Sequence, residues 1–172
     1  LDVDTINVSY LDKIGGSSKK YKARTKGNIK LIETLKNSVL AGENLELKSG
    51  AKVMFVRNNP EKGYVNGSLG KILNFNDEGI PIVELFNGKI VSAEEETWAI
   101  QDDSSRVLAS YYQIPLRLAW AITVHKCQGM TLDAAEIDLS KTFEKGQGYV
   151  ALSRLKKLEN LRLSGINEMA FE

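Results

Sequence analysis

Among the apolar residues near the start, Val3, Ile6, Tyr10 and Ile14 fall at the spacing of one helical face, and the run stops at Gly15-Gly16. A short amphipathic helix with a glycine terminator is predicted over residues 2–14. The stretch KKYKARTK is polar and reads as loop or edge strand. Residues 28–46 show weak periodicity, which predicts mostly irregular chain with one short helical segment. From Leu47 the pattern becomes short apolar runs separated by turn signals: KVMFVR, Asn66-Gly67, LGKILNF, NDEG, IPIVELF, Asn87-Gly88 and KIVSA. Asn-Gly between apolar runs is a strong hairpin signal because both residues tolerate positive φ. A meander of about four or five strands, closed into a small barrel that hides its edges, is predicted over residues 47–106.

After the polar break QDDSSR, residues 107–116 read as a strand. In LRLAWAITVHKCQGM the apolar positions alternate but also fit a short helix, so both backbones stay open. AEIDL is a strand, GQGYVALSRLKKLENL a helix with Ala151, Leu155 and Leu158 on one face, and LRLSG a last strand. Strand, helix and strand in succession predict an α/β layer with parallel pairing, interrupted by the barrel. A long insertion is cheap, since each doubling of a loop costs only about 0.6 kcal/mol.

Composition narrows the chemistry. The chain has 172 residues, 42% hydrophobic and 26% charged, enough for one domain, or one domain with a small inserted one. Cys127 and His125 are the only residues of their kinds, which excludes an internal disulfide framework and any Cys- or His-rich metal site. No metal site is expected. The single cysteine, the lack of an apolar run long enough to span a bilayer and a start unlike a signal peptide together predict a cytoplasmic protein with no membrane partner. Formal net charge is +1, so charge matters only locally. Residues 19–26 carry Lys19, Lys20, Lys22, Arg24 and Lys26 with no acid. Residues 48–71 carry Lys48, Lys52, Arg57, Lys62 and Lys71 against Glu61 alone, and residues 77–103 carry eight acids against Lys89.

Two segments are dense in functional groups. TVHKCQGMT places Thr123, His125, Lys126, Gln128 and Thr131 around Gly129. Hydroxyl, imidazole and ammonium suit phosphate oxygens, and a glycine lets a backbone amide approach an anion. Residue types alone fit equally well a polar turn leaving a buried strand. A Cys127–His125 nucleophile pair is conceivable from the residue types but disfavoured. In YVALSR, Arg154 on a helix suits a phosphoryl clamp, worth about 10³ to 10⁵ in rate where it completes an NTPase site. The competing reading is a solvated arginine. A phosphate loop is missing: Gly70-Lys71 and Gly88-Lys89 are each followed by isoleucine and lack the first glycine of the motif. Glu94, Glu95 and Glu96 read as a solvated face.

Together, LRLAWAITVHKCQGMTL and GQGYVALSR resemble the fifth and sixth motifs of superfamily 1 DNA helicases, in the 5′-to-3′ Pif-type and RecD-like branch. GAKVMFVRNNPEKGYVNGSLGKI resembles the opening of the Src-homology-3-like barrel that this branch inserts in its second motor domain. The start, LDVDTIN, is similar to the helix after the fourth motif. The resemblance implies a partial RecA-like motor domain of the P-loop NTPase type: residues 1–46 and 107–172, interrupted by a 2B-like barrel at 47–106. It implies that Thr123, His125 and Lys126 lie along single-stranded DNA, that Gln128 and Gly129 face the nucleotide cleft, and that Arg154 reaches the γ-phosphate. The full enzyme would use ATP and Mg²⁺, with the phosphate loop and magnesium carboxylate in a first RecA-like domain before Leu1. The isolated chain is then expected to bind no nucleotide and to be inactive. Cys127 stands where serine is common in the family. A stand-alone nucleic-acid-binding module, using the barrel and the 19–26 stretch with Tyr21 as a stacking residue, is the alternative.

Overall fold

The computed structural model describes residues 2–141 and 145–170. The chain opens with α1 (Val3–Asp12), strands β1 (Lys19–Lys22) and β2 (Arg24–Gly27), α2 (Ile29–Ser38) and β3 (Asn44–Leu47). The first helix forms where predicted, but it buries Asn7 and Leu11 and leaves Tyr10 exposed. A polar residue is tolerated inside only when hydrogen-bonded, and the partners of Asn7 lie far along the chain.

Residues 28–46 correct the expectation of mostly irregular chain, since they hold a full helix and a strand. The helix signal was Asn28. Its side-chain oxygen accepts from the N–H groups of Lys30 and Leu31 at 3.0 and 3.3 Å, the N-cap arrangement that satisfies otherwise orphaned donors. Leu31, Ile32 and Leu35 then pack on Ala109 and Tyr111. Tertiary burial stabilises a helix whose intrinsic pattern is faint.

The meander continues as β4 (Lys52–Phe55), β5 (Leu69–Phe75), β6 (Pro81–Leu85) and β7 (Ile90–Ser92), each antiparallel to the next. The following strands are β8 (Glu96–Gln101), β9 (Val107–Gln113) and β10 (Leu116–Leu118). One sheet has the order β10-β4-β5-β6-β7 and another β2-β9-β8. Strands after residue 106 therefore pair with strands between 47 and 106, β10 with β4 and β9 with β8, and β2 joins the second sheet through β9. Val53, Phe55, Ile72, Val83, Leu85, Val91 and Leu116 share one core with Leu45 and Leu47, so the β1–β3 ribbon covers the larger sheet. Met54 and Val56 point the other way, into a second core with Cys127, Met130 and Leu132. Burial on both faces explains why KVMFVR is a continuous apolar run rather than an alternating one.

At both Asn-Gly turns only the glycine adopts positive φ, 97° at Gly67 and 83° at Gly88. Gly88 N–H donates to Leu85 O, and Leu85 N–H to Lys89 O, each at 2.8 Å. The second turn is thus a three-residue loop with a bulge rather than the two-residue type that needs two left-handed residues.

The last layer holds β11 (Ala135–Leu139), α3 (Gln147–Leu152) and β12 (Leu161–Ile166), and β11 and β12 pair in parallel as predicted. α3 is shorter than expected. Leu158 is exposed instead of continuing its apolar face, because residues 154–156 leave the helix to hydrogen-bond with Leu132. Among the described residues no helix is long and apolar enough to cross a membrane.

Glu96 corrects the reading of a wholly solvated acidic run. Its Oε1 accepts from Asn59 Nδ2 at 2.7 Å and Tyr64 OH at 2.9 Å, with Lys62 Nζ at 3.4 Å. The carboxylate ties the 59–64 loop to β8. Burial pushes its pKa up, but the bonds from Asn59, Tyr64 and Lys62 outweigh this and hold it below the usual carboxylate range. A depressed folded-state pKa gives stability that is present above about pH 4.3 and lost as pH falls through the folded value. Glu96→Ala is expected to cost about 1–3 kcal/mol at neutral pH by leaving buried donors unpaired, and to flatten stability loss in acid. Thermal melts from pH 7 down to 3 read both effects.

Candidate nucleic-acid and nucleotide site

Beyond β10 the chain leaves the sheet, which resolves the open choice between strand and helix: Leu116–Leu118 is strand, and His125–Cys127 forms one 3-10 turn. The approach is clamped by α1. Asn7 Oδ1 accepts from the N–H groups of Trp120 and Ala121, both at 3.0 Å, and its Nδ2 donates to Ala121 O at 2.9 Å. Tyr10 stacks on Trp120 with ring centroids 5.8 Å apart. Nearby, buried Arg117 lies 3.6 Å from Asp4. These contacts were not legible in the sequence, because nothing in an Asn at position 7 announces a partner at position 121.

In the turn, Thr123 O accepts from Cys127 N–H at 3.2 Å, and Thr123 Oγ1 accepts from Lys126 N–H at 3.3 Å. The hydroxyl accepts inside the turn and keeps its proton for donation outward. Thr123, His125, Lys126, Gln128 and Gly129 are all exposed. Gly129 has φ of 74°, and nothing stands within 4 Å of where a Cβ would be. Its backbone demands glycine, and the space beside it is open to a ligand. Cys127 points inward, packed with Met54 and Met130, and its thiol donates to Val124 O at 2.9 Å. Burial raises its pKa, with Arg154 pulling the other way. A buried, protonated thiol beside an exposed His125 makes no nucleophilic pair.

Arg154 corrects one expectation. It sits two residues beyond α3 rather than on the helix, half-buried. Its Nε donates to Val150 O at 3.1 Å, and its Nη2 to Ser153 Oγ at 3.0 Å. The guanidinium folds back on the last helical turn, and no carboxylate pairs with it among the described residues. α3 itself is held close: a Cβ on Gly148 would overlap the carbonyl oxygen of Ala170.

Backbone hydrogen bonds join the two segments. Leu132 N–H donates to Arg154 O at 2.8 Å, and Lys156 N–H to Leu132 O at 3.1 Å. Asp133 reinforces the junction, accepting from Lys156 Nζ at 2.6 Å and, through its other oxygen, from Leu69 N–H of β5 at 3.3 Å. On the sheet side, Gly67 presses on the Thr131 backbone so tightly that a Cβ would stand 2.7 Å from Thr131 O. Tyr21, the stacking residue of the alternative reading, donates its hydroxyl to Gly79 O at 2.6 Å and is half-buried, which pushes its pKa up to about 12. Lys20 and Arg24 of the basic stretch pair with Glu46 and Glu95.

The family model for the 2B domain of DNA helicase Pif1 matches residues 30–75, taking in α2 and β3 as well as β4 and β5. An ATP-dependent DNA helicase Pif1 of Psychrobacter sp. is 44% identical over 99% of this chain. Unliganded Pif1 from Bacteroides sp superposes with a TM-score of 0.81 at 34% identity, over 98% of this chain and 39% of that one. The chain is homologous to Pif1-type superfamily 1 helicases. It matches their C-terminal portion and spans 33% of the length of the Psychrobacter relative. A further Bacteroides Pif1 structure, in complex with ADP-AlF3 and ssDNA, is 34% identical with a TM-score of 0.68, over 99% of this chain and 40% of that one. The Pif1-type fold thus accounts for the mixed α/β layers.

Removing the Asn7 clamp should loosen the approach to the Thr123 turn. Asn7→Ala is expected to lower stability by about 2–4 kcal/mol, since it leaves buried backbone groups unpaired. Gly67→Ala should cost about 1 kcal/mol or more from positive φ and the Thr131 contact. Urea unfolding followed by tryptophan fluorescence measures both; an unchanged midpoint in either variant would contradict its assigned contact.

Proposed function

We propose that this chain is the C-terminal motor part of an ATP-dependent DNA helicase, with residues 1–46 and 107–172 forming the motor part and 47–106 the inserted 2B-like barrel. The observation that carries the reading is the backbone junction of Leu132 with Arg154 and Lys156. It makes one rigid body of the turn proposed to hold DNA and the arginine proposed to sense nucleotide. Thr123, His125 and Lys126 bind the phosphates of a single strand, using the outward hydroxyl proton, the imidazole and the ammonium. Gln128 and Gly129 line the edge of the ATP cleft, where Gly129 leaves room for close backbone approach. Arg154 swings its unpaired guanidinium face onto the γ-phosphate and stabilises the charge that spreads there during transfer.

ATP supplies the phosphoryl group when it is bound between this part and a first RecA-like domain. The residues present suit only one side of that nucleotide. They do not suit Mg²⁺: among the described residues no group of three or more His, Cys, Asp or Glu could hold a metal ion. With no phosphate loop in its sequence, the chain is read as inert by itself, with a first motor domain and single-stranded DNA as its partners. The Bacteroides Pif1 complex with ADP-AlF3 and ssDNA supports the use of nucleotide and single-stranded DNA by the whole enzyme.

In a protein that contains both motor parts, Arg154→Ala should lower the DNA-stimulated ATPase rate about 10³-fold or more with little change in DNA affinity. For the isolated chain, anisotropy with a fluorescent oligonucleotide over a salt series should give weak binding that falls with salt. The double variant Thr123→Ala/His125→Ala should lose it. ATP hydrolysis by the isolated chain, abolished by Arg154→Ala, would sink the proposal.

A further inference from the structure

A cleft of about 490 Å³ opens between α2, β8 and the Asn66-Gly67 turn, a volume within the range of small-molecule sites. Leu35, Val39 and Val56 form its apolar wall. Three other residues give it chemistry. Trp98 is half-buried, and the Arg57 guanidinium lies over its ring, 5.1 Å from the centroid. Arg57 makes no ion pair among the described residues, so its charge is uncommitted. Asn66 also lines the cleft, and its Oδ1 is buried without a hydrogen-bond partner. A buried, unmet acceptor costs free energy in the empty fold, and a turn of the Asn66 amide toward the cleft would let it accept from a donor there.

We infer that this cleft receives one nucleotide of the bound single strand, its base stacked on the Arg57–Trp98 layer and donating a hydrogen bond to Asn66 Oδ1. Planar guanidinium and indole groups are the surfaces on which unpaired bases stack, whatever their sequence. Every natural base except in unusual tautomers carries an N–H on its pairing edge, so a lone carbonyl acceptor selects for a base without selecting which one. The uncommitted charge of Arg57 faces the adjoining phosphate. The place also fits. Asn66 precedes Gly67, which touches the Thr131 backbone, so the cleft adjoins the turn proposed as the DNA path. The inference rests on that proposed path, and it extends the track from the motor layer onto the inserted sheet.

The test uses the intact helicase and two labelled probes of equal length: oligo-dT, and an abasic sugar-phosphate strand. Trp98→Ala and Arg57→Lys should each weaken oligo-dT binding roughly tenfold, the scale of one lost base stack, and leave abasic binding unchanged. Arg57→Lys keeps the charge and removes the plane, so it separates stacking from simple attraction. It also keeps the test decisive if Trp98→Ala fails to fold. Trp98→Phe should retain most of the affinity, and Asn66→Ala should weaken oligo-dT without lowering the melting temperature. Equal loss on both probes, or no loss on either, overturns the cleft. If Thr123→Ala/His125→Ala has no effect while Arg57→Lys weakens oligo-dT, the proposed path fails and the cleft stands; the reverse pattern fails the cleft alone. Binding of labelled AMP that Arg57→Lys abolishes, with oligo-dT binding unaffected, would assign the cleft to free nucleotide and overturn the inference.

Discussion

Two backbone hydrogen bonds at Leu132 set the geometry that joins the two candidate segments. They pull residues 154–156 out of the helical path, end α3 at Leu152 and leave the Arg154 side chain folded against the last turn. Backbone pairing is nearly obligatory for buried amides, so this junction tolerates little freedom. Through it the backbone at the end of the exposed turn at 123–131 is bonded directly to that of Arg154, with no side chain in between.

The antiparallel sheets serve this junction more than they serve themselves. β4 is buried on both faces, lending Val53 and Phe55 to the main core and Met54 and Val56 to the core under Cys127 and Met130. Asp133 accepts from both β5 and Lys156, and Gly67 rests on Thr131. The site is therefore a layer held between an α/β unit on one side and a β sheet on the other, with a carboxylate and a bare glycine as the points of contact.

Much of this was readable in the sequence. The strands of the meander, the parallel β11–β12 pair and the helix at the start all follow from periodicity and turn residues. The motif segments follow from residue type and order. What escaped was tertiary in origin. α2 looked irregular because its helicity depends on an Asn28 cap and on Tyr111 across the sheet. Leu158 looked like helix because the competing bridge to Leu132 lies more than twenty residues upstream in the sequence. Glu96 looked like one of three solvated acids, while Asn59 and Tyr64, distant in sequence, set it apart from Glu94 and Glu95. At the site, Thr123 and Arg154 were legible as candidates. Asn7, Asp133 and Gly67, which hold them in place, were not, since a supporting residue has no chemistry of its own to advertise.

The Asn7 clamp spans 114 residues of chain. Contacts of such separation are closed late in folding, after their loop-closure entropy has been met by intervening structure. The Asn7 contacts that lead into the turn carrying Thr123 can close only when residues 7 and 121 have both been made and the sheets between them are in place. A half-folded product would lack the Asn7 contacts that hold the approach to the turn, so a formed turn reports on the completion of the molecule's own folding.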